Sequence, residues 1–172
     1  MLDKLYLDTS IPSAPFDKTK PMRIHITDAW FLNDAQKFEL YISTLTVTEL
    51  NQWTNSEKRE KAFQLLSESK VKILEITSEM KDLAALYVEK GAFPIGEMDD
   101  ALHIACATLN NITNFASWDF RHIVSVNPIL KLREIHQKRA LPQLNIGTLG
   151  LFGGDAYGIF EPEKFVKEKN KI

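Results

Sequence analysis

A single cysteine, Cys106, stands among 172 residues, so no internal disulfide can brace the chain. No apolar run approaches the roughly 18 residues that a membrane span requires. Charge of either sign is not in surplus: 21 Lys and Arg against 23 Asp and Glu leave a net charge of -2. No global positive field therefore draws the protein to nucleic acid or to an anionic membrane, and any nucleic-acid contact must be local. Near the N-terminus, Asp3, Lys4 and Asp8 interrupt the apolar stretch that a secretion signal would need, so the expected location is cytoplasmic. Glycine is scarce until Gly147, Gly150, Gly153, Gly154 and Gly158, five of the seven in the chain. A phosphate-cradling loop needs glycines at fingerprint spacing between a strand and a helix, and this cluster has neither, so it reads as a plain loop. The four histidines, His25, His103, His122 and His136, form no H-E-x-x-H or Cys/His pattern, which argues against zinc.

What is present is the composition of a folding chain, 44% hydrophobic and 26% charged, with ten Phe and three Trp, enough for one domain with its own core. Leu5-Tyr6-Leu7 is a short apolar run stopped by Asp8-Thr9-Ser10 and two prolines, which predicts a buried central strand followed by a polar loop. Pro21 suits the first turn of a helix over about 20–36. Phe38 to Ser43 predicts a second strand, and Thr44 or Thr46 can cap a short helix carrying Val47, Leu50, Trp53 and Glu49. A charged helix over 57–69, a strand over 71–76 and a helix from Thr77 to about Gly91 follow. A third long helix begins near Glu97, then come a strand at 113–117, a helix at 128–138 and a last strand at 144–148. Strands alternating with helices predict an α/β fold with a central, mainly parallel sheet, because each parallel return needs a crossover.

Ligands of such sheets gather at the carboxyl ends of the strands. Asp8 follows the first strand, Glu49 lies on the helix after the second, Asp119 follows Phe115-Ala116-Ser117, and Asp99-Asp100 opens a long helix. If they converge they form an acidic pocket suited to hard divalent cations. Two like charges 4 Å apart repel by about 4 kcal/mol at an effective dielectric near 20. A metal, a basic side chain or a raised pKa must then offset them. Each acid alone also has a structural explanation: an Asx turn for Asp8, a helix N-terminal charge for Asp99 or Asp100, a cap for Asp119, a solvated face for Glu49.

The strings Leu5-Tyr6-Leu7-Asp8-Thr9-Ser10, Thr48-Glu49-Leu50, Asp99-Asp100-Ala101-Leu102-His103-Ile104-Ala105 and Ser117-Trp118-Asp119-Phe120 resemble, in order and spacing, the PIN-domain nuclease family, especially its VapC-like branch. The resemblance covers roughly residues 3 to 148, which divides the chain into a PIN-like domain at 1–148 and a Gly-rich loop with a charged C-terminal extension at 149–172. It implies a three-layer α/β/α fold and a metal-dependent endoribonuclease using Mg²⁺ or Mn²⁺, with the toxin of a toxin–antitoxin pair as its biological setting. It also implies Asp8, Glu49, Asp100 and Asp119 as the catalytic and metal-binding acids, Asp99 being an additional neighbour. The hydroxyls of Thr9, Ser10 and Ser117 stand next to acids and either orient them or serve as ordinary turn hydroxyls. The expected partners are RNA as substrate, an antitoxin protein and a second copy of the chain in a homodimer, with no membrane.

Two readings of another kind stand beside this one: a catalytically inactive PIN-like module that binds RNA or protein, and a magnesium phosphatase with an aspartyl nucleophile. The latter usually wants an acid two residues after the first, where this chain has Ser10. Arg121, Lys131 and Arg133, with Lys138, Arg139 and His122, are the candidate phosphate contacts, a solvated helix face being the alternative. His103 is four residues after Asp99, one helical turn, and can pair with it. Cys106 among Ile104, Ala105 and Ala107 reads as core packing.

Overall fold

The computed structural model describes residues 1–153. Five strands, β1 (Asp3–Leu7), β2 (Phe38–Ser43), β3 (Lys72–Leu74), β4 (Asn114–Ala116) and β5 (Asn145–Gly147), form one sheet in the order β3-β2-β1-β4-β5. Every pairing is parallel, with Leu5 opposite Leu40 on one side of β1 and Tyr6 opposite Phe115 on the other. The chain therefore builds outward from β1 through β2 to β3 and then crosses back to lay β4 on its other side. That reversal opens a crevice beyond the carboxyl ends of β1 and β4, the usual place for a ligand in such sheets.

The helices are α1 (Ser10–Ser13), α2 (Pro21–Asn33), α3 (Thr44–Asn51), α4 (Ser56–Glu68), α5 (Ser78–Glu89), α6 (Met98–Leu109) and α7 (Val126–Arg139). Side chains alternate across each strand. Tyr6, Tyr41 and Phe115 accordingly enter one core with Met80, Tyr87 and Ile104 of α5 and α6, together with Leu132 of α7. Leu5, Leu7, Leu40, Ile42 and Ala116 enter a second with Trp30 of α2 and Ala62 and Leu66 of α4. The sheet is thus covered on both faces, giving the three-layer α/β/α arrangement. Local signals set the helix ends: the Asn55 side chain accepts the Lys58 N–H at 2.9 Å, the Thr77 hydroxyl accepts the Met80 N–H at 3.3 Å, and Ala140, in the left-handed region at φ 53°, closes α7.

Two differences from expectation have local causes. The loop expected after β1 contains the single turn α1, in which Ile11 and Pro12 are buried. Proline costs little in a first turn, where its missing N–H would have no intrahelical partner. The glycine cluster begins with a 3₁₀ turn at Leu149–Leu151, and Leu149 and Phe152 pack in the second core while the Trp30 indole N–H donates to the Phe152 carbonyl at 3.2 Å. Packing thus continues through Phe152. Gly154, Gly158 and the rest of the expected extension lie outside the described residues. Among the described residues, no helix is long and apolar enough to cross a membrane.

Candidate active site

Asp8 leaves the end of β1 and is 4% exposed. Its two oxygens are held separately: Oδ1 accepts the Ser10 N–H at 2.9 Å and the Ser10 hydroxyl, and Oδ2 accepts the Ser117 hydroxyl at 2.7 Å. Ser10 Oγ in turn accepts the Trp118 N–H at 2.7 Å, and Ser117 Oγ accepts the Asp119 N–H at 2.9 Å. Two serines thus tie the end of β1 to the loop after β4. Burial pushes the Asp8 pKa up, against the opposing pull of His103, Ser10 and Ser117.

Glu49 projects from α3 and is held from two sides. Its Oε2 receives the Thr9 hydroxyl and lies 3.1 Å from His103 Nε2. Burial raises its pKa, but His103 and Thr9 outweigh burial and hold it below the ordinary carboxylate value. The other nitrogen of His103, Nδ1, lies 2.8 Å from the Tyr6 hydroxyl. With both ring nitrogens so engaged, His103 pairs with Glu49 instead of the Asp99 that shares its helix. Thr9 also serves the distant Glu49, not the adjacent Asp8.

Asp119 is fixed by its own turn, since Oδ1 accepts the backbone N–H groups of Arg121 at 2.7 Å and His122 at 2.8 Å. Asp100 lies in the first turn of α6. Its Oδ2 is buried without a hydrogen-bond partner. Its pKa is pushed up to about 7, first by burial, then by the charges of Asp119, Asp8 and Glu97, with His103 pulling the other way. The four acids from four separate elements are therefore gathered at one end of the sheet.

Asp99 is set apart from them. It is exposed, and successive helical residues are turned by about 100°, so Asp99 points away from the direction of Asp100. The additional acid is instead Glu97, three residues before Asp100 and on its side of the helix. His122 completes the group, with Nδ1 3.3 Å from Glu97 Oε2, 3.5 Å from Asp100 Oδ2 and 3.7 Å from Asp119 Oδ2. Glu97, Asp100 and His122 present ligand atoms within 4.8 Å of one another. The spacings Glu97 to Asp100 and Asp119 to His122, both i to i+3, were the available signals for these two residues.

The three candidate phosphate contacts do not converge. Arg121 is exposed beside Asp119, whereas Lys131 lines a cleft with Lys90, Glu134 and Lys138. Arg133 lines a cavity with Asp3, Phe38, Asn114 and Asn145, the first residues of four strands, and so lies at the amino end of the sheet, away from the acids. Two positions apart on a helix, Lys131 and Arg133 point in different directions. Cys106 is fully buried, as expected of a core residue.

A five-stranded parallel sheet sandwiched by helices, with acids gathered at its switch point, defines an α/β protein with a candidate site for a hard cation. The sequence profile of the PIN domain matches residues 5–124, and the chain belongs to the PIN domain family. Solved structures similar to it include VapC20 of Mycobacterium tuberculosis, a sarcin–ricin-loop-cleaving toxin, with a TM-score of 0.53, 18% identity, and coverage of 69% of this chain and 92% of that one. VapBC2 of Rickettsia felis, bound to a fragment of its promoter DNA, has a TM-score of 0.50 and 14% identity, covering 83% of this chain and 97% of that one. DNA-bound VapBC of Salmonella typhimurium has a TM-score of 0.50 and 17% identity, covering 86% and 98%. At these identities the likeness is one of fold. No curated protein sequence matches the chain significantly.

Proposed function

We propose that this chain is a metal-dependent endoribonuclease, hydrolysing RNA phosphodiesters at the pocket formed by Asp8, Glu49, Asp100 and Asp119. The observation that carries the reading is the buried Oδ2 of Asp100, which accepts no hydrogen bond and faces the charges of Asp119, Asp8 and Glu97. A carboxylate oxygen in that position fits a hard cation, and all four acids supply the oxygen donors that Mg²⁺ or Mn²⁺ prefers. Asp8, Asp100 and Asp119 would hold the ion, with Glu49 as a ligand directly or through water. A bound divalent cation supplies a positive charge that lowers the pKa of water and offsets charge on the scissile phosphate.

The chain's own residues provide the placement. Ser10 and Ser117 fix both oxygens of Asp8, Thr9 and His103 hold Glu49, and the turn amides hold Asp119. Without a cation, a proton on Asp100 relieves the crowding of like charge, and a cation would take over that task. The family membership and the fold shared with VapC toxins support a toxin–antitoxin setting with a protein antitoxin as partner. The second reading, a binding module without turnover, is favoured by one observation. His122 Nδ1 lies within 3.7 Å of three carboxylates and occupies the side of the cluster that a metal would take.

The test is cleavage of a single-stranded RNA pool by the wild-type chain in Mn²⁺ and in EDTA, alongside Asp8→Asn. Cleavage that needs Mn²⁺ and is lost in the variant is expected. RNA binding with no cleavage under any condition would favour the binding module, and undiminished cleavage by Asp8→Asn would overturn the assigned pocket.

A further inference from the structure

Against the two residues that flank Asp119 in the chain lies a cation that the pocket does not use. Arg23, on the first turn of α2, holds its guanidinium 5.7 Å from the centre of the Trp118 ring and 5.2 Å from that of Phe120. The two aromatics flank Asp119 in the chain. Trp118 is a fixed platform: it is 6% exposed, its indole N–H donates to Thr27 Oγ1 at 3.0 Å one turn along α2, and its backbone N–H donates to Ser10 Oγ. Phe120 is different, with 51% of its surface exposed although its backbone N–H is tied to the Trp118 carbonyl at 3.1 Å. Among the described residues, the Arg23 guanidinium forms no ion pair and donates no hydrogen bond, although the Arg23 backbone N–H donates to the Lys20 carbonyl at 3.0 Å.

We propose that Arg23 and Phe120 form a nucleotide subsite for the RNA strand next to the cleaved bond, Arg23 taking a backbone phosphate and Phe120 stacking under a base. The inference rests on the nuclease reading. A pocket of five acids repels a polyanion, so a strand entering it needs a cation from the protein near the phosphates outside the pocket. The chain's net charge of -2 means that such help has to be local. Arginine on an aromatic face keeps its planar N–H fork, which matches a phosphate in two-point geometry. An exposed aromatic ring takes any base by its π-face. Rings that merely glued α2 to the loop would need only the buried Trp118. The exposed Phe120 adds solvent-facing ring surface one residue along the chain from Asp119.

The measurement is fluorescence anisotropy of a labelled single-stranded RNA of about 12 nucleotides, over about 50 to 200 mM salt. It uses the full chain with Mg²⁺ in an Asp100→Asn background, so that the RNA stays intact. Arg23→Ala is expected to weaken binding about 10- to 100-fold, as for loss of a charge-assisted bond, and to reduce the slope of log affinity against log salt by about 0.7. Arg23→Lys should keep the slope while losing part of the affinity, because the charge remains and the planar fork does not. Phe120→Ala should weaken binding about 5- to 150-fold with the slope unchanged.

Melting temperatures are read in parallel. Arg23→Ala and Phe120→Ala variants that melt lower yet bind RNA as the background does would overturn the subsite and make the cluster structural. Unchanged affinity and slope with unchanged melting would overturn it equally. Wild-type Mn²⁺-dependent cleavage, assayed on the same RNA, keeps the two readings apart. Cleavage with unaffected variants removes only the subsite, whereas a wild type that neither binds nor cleaves RNA removes both.

Discussion

Asp100→Asn should make the metal-free protein more stable at alkaline pH, although Asp100 is assigned to the working pocket. The carboxyl group has a pKa of about 7 in the folded chain against an ordinary value of 3.8, chiefly through burial and the neighbouring acids. Each unit is worth 1.36 kcal/mol, so holding Asp100 ionised costs the fold about 4 kcal/mol. The direction follows from proton counts. Between about pH 4 and pH 7 the unfolded chain has released this proton while the folded chain retains it, so rising pH favours unfolding. The favourable contribution is complete below pH 4 and gone above pH 7. Asparagine has no proton to lose. In EDTA, urea unfolding of the two proteins should therefore give nearly equal stability near pH 4, diverging to about 4 kcal/mol in favour of Asp100→Asn at pH 8. Charges elsewhere are common to both proteins and largely cancel. A difference that stays flat between pH 4 and pH 8 would refute the reasoning, because Asp100 would then not be the group whose charge the fold resists.

The same crowding predicts that Mg²⁺ or Mn²⁺ at a hundredfold excess over its dissociation constant stabilises the wild type by about 2.7 kcal/mol, a rise of roughly 5–10 °C in Tm. At one fixed metal concentration the rise should be larger at pH 8 than at pH 6, where a proton competes for Asp100, and a melt indifferent to metal at both would argue for a His122-paired cluster. Ser117→Ala removes the donor to Asp8 Oδ2 and the acceptor of the Asp119 N–H at a fully buried position, so it should cost about 1–3 kcal/mol in stability and also lower cleavage. Wild-type-like unfolding in urea would contradict that bridge. Asp8→Asn should lower Mn²⁺-dependent cleavage by about 10² or more while the metal-free fold is kept or slightly strengthened, and a large loss of stability in EDTA would show that the Asx-type turn outweighs charge relief.

The sheet was legible because most strands are short apolar runs between clear stops, and because a helix such as that from Thr77 to Gly91 is marked at both ends, whereas the cap expected at Thr44 or Thr46 falls instead at Ser43, with no side-chain capping bond. Asp8, Glu49, Asp100 and Asp119 were legible as acids following strands or opening helices, and the choice of Asp100 over Asp99 came from resemblance, with helical rotation now giving the reason. Glu97 and His122 were less visible, since a charge before a helix and a histidine after a turn have many uses until α6 and the loop after β4 are brought together. Arg23 was not visible at all as a neighbour of Trp118 and Phe120. Its position depends on α2 packing against Trp118, ninety-five residues along the chain. The basic residues that stand close in sequence, Lys131 and Arg133, are separated by the helix that carries both.

The most direct test of the central claim is the anomalous scattering of manganese in crystals of the full chain grown or soaked with Mn²⁺ near pH 8. The account predicts a peak bounded by carboxylate oxygens of Asp8, Asp100 and Asp119, with Glu49 reaching it directly or through one water, and no such peak in Asp100→Asn. A well-occupied peak elsewhere, or a pocket that stays closed by His122 against Glu97, Asp100 and Asp119 at saturating Mn²⁺, would contradict it.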